Sequence, residues 1–158
     1  VRGILREDPE VSLMYVGEGS ALGKLRETVL ELNLQEKVIL TGFLLHSAIG
    51  PVIKNSYVLV APTRSTFPEG RCKSALEALV LGVPVIAPDF GPFDFIEDHV
   101  NGLLYKSDSV SDLKKKINAL ISDRQLYSRL SRGALRTTEK IIDPEMTFQQ
   151  ALYKALSL

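Results

Sequence analysis

The sequence predicts an α/β fold, a doubly wound domain built on a parallel sheet. Three observations predict it. Apolar runs of strand length alternate with segments whose apolar residues recur at helical spacing. Turn-forming stretches follow directly on those runs: Gly17-Glu18-Gly19, Gly42-Phe43, Pro62 to Glu69 and Pro88 to Asp94. The 158 residues are 45% hydrophobic, which suits one domain with a sizeable core. Parallel strands need crossovers, and these are right-handed; ligands of such sheets bind beyond the carboxyl ends of the strands. The four stretches are therefore expected to line one crevice.

The elements follow in order. Val1 to Pro9 reads as the tail of a helix, and Val11 to Val16 as a strand. Leu22 to Leu34 carries Leu22, Leu25, Val29 and Leu32 at helical spacing. Val38 to Leu40 is a strand, Leu45 to Asn55 a short helix, and Tyr57 to Ala61 a strand. Ser74 to Leu81 is a helix, ended by Gly82 at its cap and barred from continuing by Pro84. Val83 to Ala87 reads as a buried strand and Gly102 to Tyr105 as another. Beyond Ser107 the chain turns helical. Ser109 to Ile121 is amphipathic, with Val110, Leu113, Ile117, Leu120 and Ile121 on one face. Ser122-Asp123 to Leu135 gives a second helix and Pro144 to Leu156 a third. There are no internal repeats and no low-complexity segments.

Composition narrows the function. Lys plus Arg is 19 and Asp plus Glu is 19, which argues against nucleic acid held by bulk charge. The lone cysteine, Cys72, fits a reducing cytosol. No apolar run approaches the roughly 20 residues of a membrane helix, and no signal peptide is visible. His46 and His99 read as surface or loop residues, and no metal site is visible. Lys114-Lys115-Lys116 reads as the solvated face of its helix, the alternative being a membrane or acidic-partner role.

The chemistry concentrates in Thr66 to Ile86, TFPEGRCKSALEALVLGVPVI. Glu69 and Glu77 stand eight positions apart. Gly70 permits a turn, so Glu69 is expected in the loop before the helix, at the mouth of the crevice. Glu77 is expected about two turns into the helix, inside an apolar run. A carboxylate buried there without a partner is very costly, so a polar group must meet it, and a ligand is a candidate. Between the two acids lie the first-turn N–H groups, which have no intrahelical partner and carry the positive end of the dipole. That end is a natural phosphate site. Arg71 and Lys73 sit where the dipole disfavours cations by roughly 0.3–1 kcal/mol each, which makes sense if an anion binds between them. The plainer alternative is a solvated helix start with chance charges.

With these residues in view, the segment resembles the E-x7-E motif of retaining glycosyltransferases of the GT-B fold, the family 4 or glycosyl transferases group 1 type. The flanks agree. Val58-Leu59-Val60-Ala61-Pro62-Thr63 resembles the family's preceding strand. Leu76-Glu77-Ala78-Leu79 with Gly82-Val83-Pro84-Val85-Ile86 resembles its EAxxxGxPVI signature. Gly91 with Asp94-Phe95-Ile96, then Asn101-Gly102-Leu103-Leu104, resembles the next loop and strand. Val16-Gly17-Glu18-Gly19 and Val38-Ile39-Leu40-Thr41-Gly42-Phe43 match two earlier landmarks in the right order.

The resemblance implies a Rossmann-like, doubly wound parallel sheet, the C-terminal half of a GT-B enzyme, over residues 1–158. It implies a fragment, lacking a first strand with an Arg and a Lys that grip the diphosphate, and lacking the N-terminal acceptor domain. The last helix would return to that missing domain. The implied donor is a nucleotide-diphospho-sugar, a substrate; no cofactor and no metal are implied. Glu77 would bind the ribose hydroxyls and Glu69, the implied catalytic residue, hydroxyls of the sugar. Backbone N–H groups of Arg71 and Cys72 would face the sugar, and those of Lys73 and Ser74 the phosphates. Gly42, Phe43 and Leu44 would support the base, while Gly17 and Gly19 would allow close approach near the phosphates. The plainer alternative for the two glycines is a strand-to-helix turn. The acceptor would be a glycan or a lipid-linked molecule, in bacterial surface polysaccharide assembly, in the cytoplasm or at the inner face of the cell membrane. Three departures stand out: Arg71 replaces an aromatic, Cys72 a glycine, and Asp94 the family's frequent Glu. The first two leave open a non-catalytic nucleotide- or sugar-binding module, and a nucleotide-sugar epimerase of the same architecture is a further alternative. The isolated fragment is expected to transfer nothing.

Overall fold

A computed structural model describes residues 2–67 and 70–141. The chain divides into two compact units, Val1–Pro51 and Val52–Leu158, and its strands form two sheets, both parallel.

The first unit holds α1 (Arg2–Glu7), β1 (Leu13–Val16), α2 (Leu22–Glu31), β2 (Val38–Gly42) and most of α3 (His46–Lys54). β1 and β2 run side by side from Leu13↔Val38 to Val16↔Gly42, with a register slip after Tyr15. Strand side chains alternate between faces. Leu13, Val38 and Leu40 accordingly pack with Leu5, Val29 and Leu34. Met14 and Ile39, paired in register, are 43% and 48% exposed. α2 ends earlier than the spacing predicts. Asn33 takes a left-handed φ of 53°, its N–H donates to Leu30 O at 3.0 Å, and Leu34 N–H donates to Val29 O at 3.0 Å. This Schellman closure takes Leu34 out of the helix and into the core.

The second unit is built on β3 (Leu59–Val60), β4 (Val85–Pro88) and β5 (Gly102–Tyr105), in that order across the sheet. β3 is shorter than the predicted Tyr57 to Ala61, although Leu59 N–H and Ala61 N–H still donate to Pro84 O and Ile86 O. All four residues of β4 are buried, as a central parallel strand requires. α4 (Lys73–Val80) begins one residue before the prediction and closes through Gly82, whose φ is 74°. Gly82 N–H donates to Leu79 O at 2.9 Å and Val83 N–H to Ala78 O at 2.8 Å, so Val83 completes the helix cap and β4 starts only at Val85.

Two helices and a 3₁₀ turn (Gly91–Phe93) complete the described residues. α5 (Val110–Ser122) is capped by Ser109, whose hydroxyl accepts Asp112 N–H at 3.2 Å. α6 (Arg124–Ile141) is capped by Asp123, whose carboxylate accepts the N–H groups of Gln125 and Leu126, both at 2.9 Å. α6 runs past the predicted end at Leu135, since no proline or terminal glycine stops it. Its interior Gly133 has a packing reason: an added Cβ would lie 1.8 Å from the Val100 carbonyl oxygen. The neighbouring Asn101 is fully buried and satisfied. It accepts Glu97 N–H at 2.9 Å and donates to Phe95 O and Thr137 Oγ1, both at 3.0 Å. Leu79, Ile86, Leu103, Leu120 and Leu130 are fully buried in this unit. The helix predicted for Pro144 to Leu156 lies outside the described residues.

Candidate functional site

Of the residues singled out in the sequence, Gly17, Gly19, Gly42, Phe43 and Leu44 lie at the carboxyl ends of the strands of the first unit. Arg71, Cys72, Lys73, Ser74 and Glu77 lie at or near the start of a helix in the second. In the first unit β1 and β2 both end in glycine-bearing turns. Gly17, with φ 129°, donates its N–H to Gly42 O at 3.0 Å, and Gly42 has φ 67°. Both conformations are ones only glycine adopts without strain. Gly19 opens the turn into α2, its carbonyl accepting Leu22 N–H at 3.0 Å. Phe43 follows Gly42 and is 67% exposed, while Leu44 is half-buried. Gly17, Gly42 and Phe43 are thus brought together beyond the ends of two parallel strands, where open α/β sheets bind ligands.

In the second unit α4 follows the loop leaving β3. Cys72 is its N-cap, extended at φ −72° and ψ 95°, and supplies no capping bond. The first intrahelical donor is Leu76 N–H, to Cys72 O at 3.2 Å. The N–H groups of Lys73, Ser74 and Ala75 therefore have no intrahelical partner, and no side chain at Cys72 takes their place. Cys72 itself is buried, its sulfur 3.4 Å from Ser74 Oγ, while Arg71, Lys73 and Ser74 are exposed.

Glu77 departs from the sequence expectation twice. Because α4 starts at Lys73, Glu77 is its fifth residue, one turn in and not two. It is also only half-buried, so desolvation does not force a partner upon it. Its carboxylate makes no hydrogen bond or ion pair with another described residue. Glu69 lies outside the described residues.

Three side-chain ties bind the loops at this edge, none of them predicted from sequence. The Arg71 guanidinium sits 3.9 Å from Asp94 and 5.5 Å over the Phe95 ring, joining the loops after β3 and β4. Both charges are well exposed, so the ion pair contributes little and Arg71 stays free to meet a ligand. Asp89 accepts Ser107 N–H at 2.8 Å and Ser107 Oγ at 2.6 Å, joining the loops after β4 and β5. The Ser107 hydroxyl and N–H hold the Asp89 carboxyl below its ordinary value. Asp108, left-handed at φ 60°, accepts both the N–H and the hydroxyl of Ser65, joining the loops after β5 and β3. An open concavity of about 360 Å³ lies in the same loop, lined by Pro62, Thr63, Arg64, Thr66 and Phe67. The sequence signal for these ties is an Asp or Ser within a few residues of a strand end, too common to be read alone.

Other residues behave more simply. His99 occupies an exposed left-handed turn beside Asp98, and His46 is an exposed helix start. Lys116 corrects the solvated-face expectation: its side chain is 22% exposed and pairs with Asp98 at 3.8 Å. No group of three potential metal ligands occurs among the described residues, and no helix among them is long and apolar enough to cross a membrane.

Known proteins are similar to this chain in sequence and in fold. The poly(ribitol-phosphate) alpha-N-acetylglucosaminyltransferase of Staphylococcus aureus is 31% identical over 157 residues, which is 98% of this chain and 30% of that protein. The lipopolysaccharide 1,6-galactosyltransferase of Salmonella typhimurium is 32% identical over 129 residues, 79% of this chain and 35% of that one. The chain spans 30%, 37% and 35% of the length of three curated relatives it matches. In three dimensions it resembles Anabaena Alr3699/HepE, solved in complex with UDP, with a TM-score of 0.83, 24% identity and coverage of 98% of this chain and 43% of that one. It also resembles S. aureus TarM, solved with UDP among its ligands, with a TM-score of 0.82, 25% identity and coverage of 99% and 30%. The fold is that of a GT-B half, an α/β domain on parallel strands. Residues 1–137 match the glycosyl transferases group 1 family, and the chain belongs to it.

Proposed function

We propose that this chain is the donor-binding part of a retaining glycosyltransferase, holding a nucleotide-diphospho-sugar for transfer to a glycan or lipid-linked acceptor read by an N-terminal domain. One observation carries it. The uncapped start of α4 presents the N–H groups of Lys73 and Ser74 between two exposed cations, Arg71 and Lys73, with the free Glu77 carboxylate one turn on. An anion at that end meets unpaired donors and the positive end of the dipole. A nucleoside diphosphate is such an anion, and a carboxylate can accept both hydroxyls of a ribose. The UDP complexes of the structural relatives support the same ligand class.

The residue roles follow. Glu77 holds the ribose. Glu69 meets the sugar and is the candidate catalytic residue. The N–H groups of Arg71 and Cys72 face the sugar. Because Cys72 is buried, its side chain does not project from the exposed helix start, which eases the departure from glycine there. Gly42, Phe43 and Leu44 support the base; Gly17 and Gly19 border the phosphates. As the glycosidic bond breaks, charge grows on the leaving diphosphate, and fixed N–H groups with nearby cations stabilise it. The donor is a substrate, and no cofactor enters this scheme. The relatives' surface-polymer acceptors support a place in bacterial polysaccharide assembly, in the cytoplasm and peripheral to the inner face of the membrane.

Calorimetric titration with UDP, GDP and ADP tests the proposal. One nucleotide is expected to bind, and Glu77→Ala to weaken it by about tenfold or more, the loss of a charge-assisted hydrogen bond. Binding unchanged by Glu77→Ala would remove the ribose role. No binding by a longer chain that includes the preceding strand and acceptor domain would favour the non-catalytic module.

A further inference from the structure

We propose that the outer face of α6 is a docking surface for an anionic lipid bilayer. Arg124, Arg129, Arg132 and Arg136 are all exposed. At about 100° per residue they fall within an arc of about 140°, and they extend about 18 Å along the helix. The opposite side carries the buried Leu126, Leu130, Ala134 and Thr137. The apolar face of α6 is thus already spent on the protein's own core, and what remains outward is cationic.

Among the described residues the four guanidinium groups have no counter-ion. The only acid in α6 is Glu139, in the same arc, and the Asp123 carboxylate is occupied in capping the helix. Arg129 and Arg132, and Arg132 and Arg136, stand three and four residues apart, where like charges repel. Arg124 lies in the first turn, where the dipole disfavours a cation. Residues 109–141 hold eight Lys or Arg against three Asp or Glu, an excess of five cations that the rest of the chain offsets with eleven Lys or Arg against sixteen Asp or Glu. A concentrated stripe on a neutral chain suits a partner that touches one face.

The neighbours of the stripe favour a bilayer over a soluble polyanion. Leu135 is 52% exposed and lies at the edge of the arginine arc, with its other side packed on Gly82. At the amino end Tyr57 is 42% exposed and stacks on Tyr127 of α6 with ring centroids 4.1 Å apart. Cations mixed with an exposed leucine and a tyrosine are the composition of a membrane-interface surface. Arginine matches phosphate bidentately, and its long stem lets the head group stay in the wet layer. A soluble polymer of phosphates would gain nothing from Leu135.

This surface deepens the peripheral placement proposed above and rests on it, not on the transfer chemistry. The test is co-sedimentation of the full chain with vesicles of phosphatidylcholine, with and without phosphatidylglycerol. Binding is expected only with the anionic lipid, and is expected to fall with salt as exposed charges are screened. Arg129→Gln with Arg132→Gln should weaken it roughly 30-fold, about fivefold per cation. Leu135→Ser should weaken it further. Thermal melting of each variant checks that the fold is kept. Equal binding by the double variant, equal binding to neutral vesicles, or capture of the stripe by soluble polyphosphate without vesicle binding would each overturn the proposal. Nucleotide titration of the double variant reads the donor site separately, so loss of one property leaves the other measurable.

Discussion

In the Val52–Leu158 unit every residue of β4 is buried, whereas in the Val1–Pro51 unit β1 exposes Met14, Tyr15 and Val16 to 43%, 47% and 38%. Both sheets are parallel, and parallel sheets are stable when covered on both faces. The three-stranded sheet meets that condition, with α4 and α5 packed on β4 and α5 and α6 packed on β5. The two-stranded sheet meets it on one face, through Leu5, Val29 and Leu34, and β1 pairs with β2 alone among the described residues. Two paired strands are marginal by themselves. The second unit therefore carries a self-sufficient core, and among the described residues the first carries an open strand edge that suits an added strand, beside an apolar face left to solvent. The strand that the family resemblance implies ahead of α1 is the natural candidate for that place.

The sharpest way to break this contrast is Gly133→Ala. In an ordinary helix interior the change would stabilise by roughly 1 kcal/mol. Here the new Cβ would sit 1.8 Å from the Val100 carbonyl oxygen and 2.7 Å from its carbon, both backbone atoms. Overpacking against backbone reverses the sign, and a net loss of about 3 kcal/mol is expected. Hydrogen exchange read by mass spectrometry should show loss of protection across α6, β5 and α5 while Val29 and Val38 keep theirs. Equal loss in both units would mean that they unfold as one body.

Ile39→Ser sharpens the same contrast from the other side. Ile39 is 48% exposed, so in this chain the change should cost under about 0.5 kcal/mol, a surface value. A strand added beside β1 lies in the plane of the sheet and leaves this face uncovered. In a chain extended by the preceding strand the same change should therefore again cost under about 0.5 kcal/mol, and a cost of about 2 kcal/mol would mean that a further element covers the face. Urea midpoints for the two lengths decide it. The same small cost in both would show that the added segment leaves this face in water.

How far the sequence could be read follows the same division of labour. Element order and type were legible because each rests on local periodicity and punctuation, as with the glycine cap at Gly82 or the strand Gly102–Tyr105, whose ends match the reading. Element ends were less legible where a cap was not a glycine: Asn33 closes α2, which ends at Glu31, three residues ahead of the expected end at Leu34. The Asn101-Gly102 pair was visible as a landmark, but its cause was not. Asn101 ties the nearby Phe95 and Glu97 to Thr137, and a Cβ on Gly102 would meet Val85 O at 2.4 Å; the contacts with Thr137 and Val85 join segments far apart in sequence. In the candidate site the backbone features came through, the glycine turns and the uncapped helix start. The degree of burial of Glu77 did not, because an apolar stretch of sequence does not tell which side of a short helix faces water. The loop ties through Asp89, Asp94 and Asp108 depend on which loops meet, which is a property of the sheet order and not of the residues nearby in sequence.

Those ties suggest the finest comparison, since the two units hold their carboxyl edges by different chemistry. The first uses the backbone bond from Gly17 N–H to Gly42 O and the Thr41 hydroxyl donating to Tyr15 O at 3.3 Å, neither of which titrates in acid. The second uses Asp89, whose carboxyl is held below its ordinary value of 3.8 first by the Ser107 hydroxyl and then by the Ser107 N–H. A carboxyl with a depressed folded value adds stability that is fully present above the unfolded value and is lost as pH falls through the folded one. The loss here should therefore occur below about pH 3.8 and be absent at neutral pH. Asp89→Asn keeps an acceptor for the Ser107 N–H but cannot titrate, so it should flatten the acid limb of the stability curve. Because Asp89 is open to water, the difference should stay well under about 1 kcal/mol. Exchange protection of Ser107 N–H, followed from about pH 6 to about pH 2 in both forms, measures it. A parallel decline in the two forms would assign the acid sensitivity of this edge to other carboxylates, Asp108 first, through its bonds to Ser65.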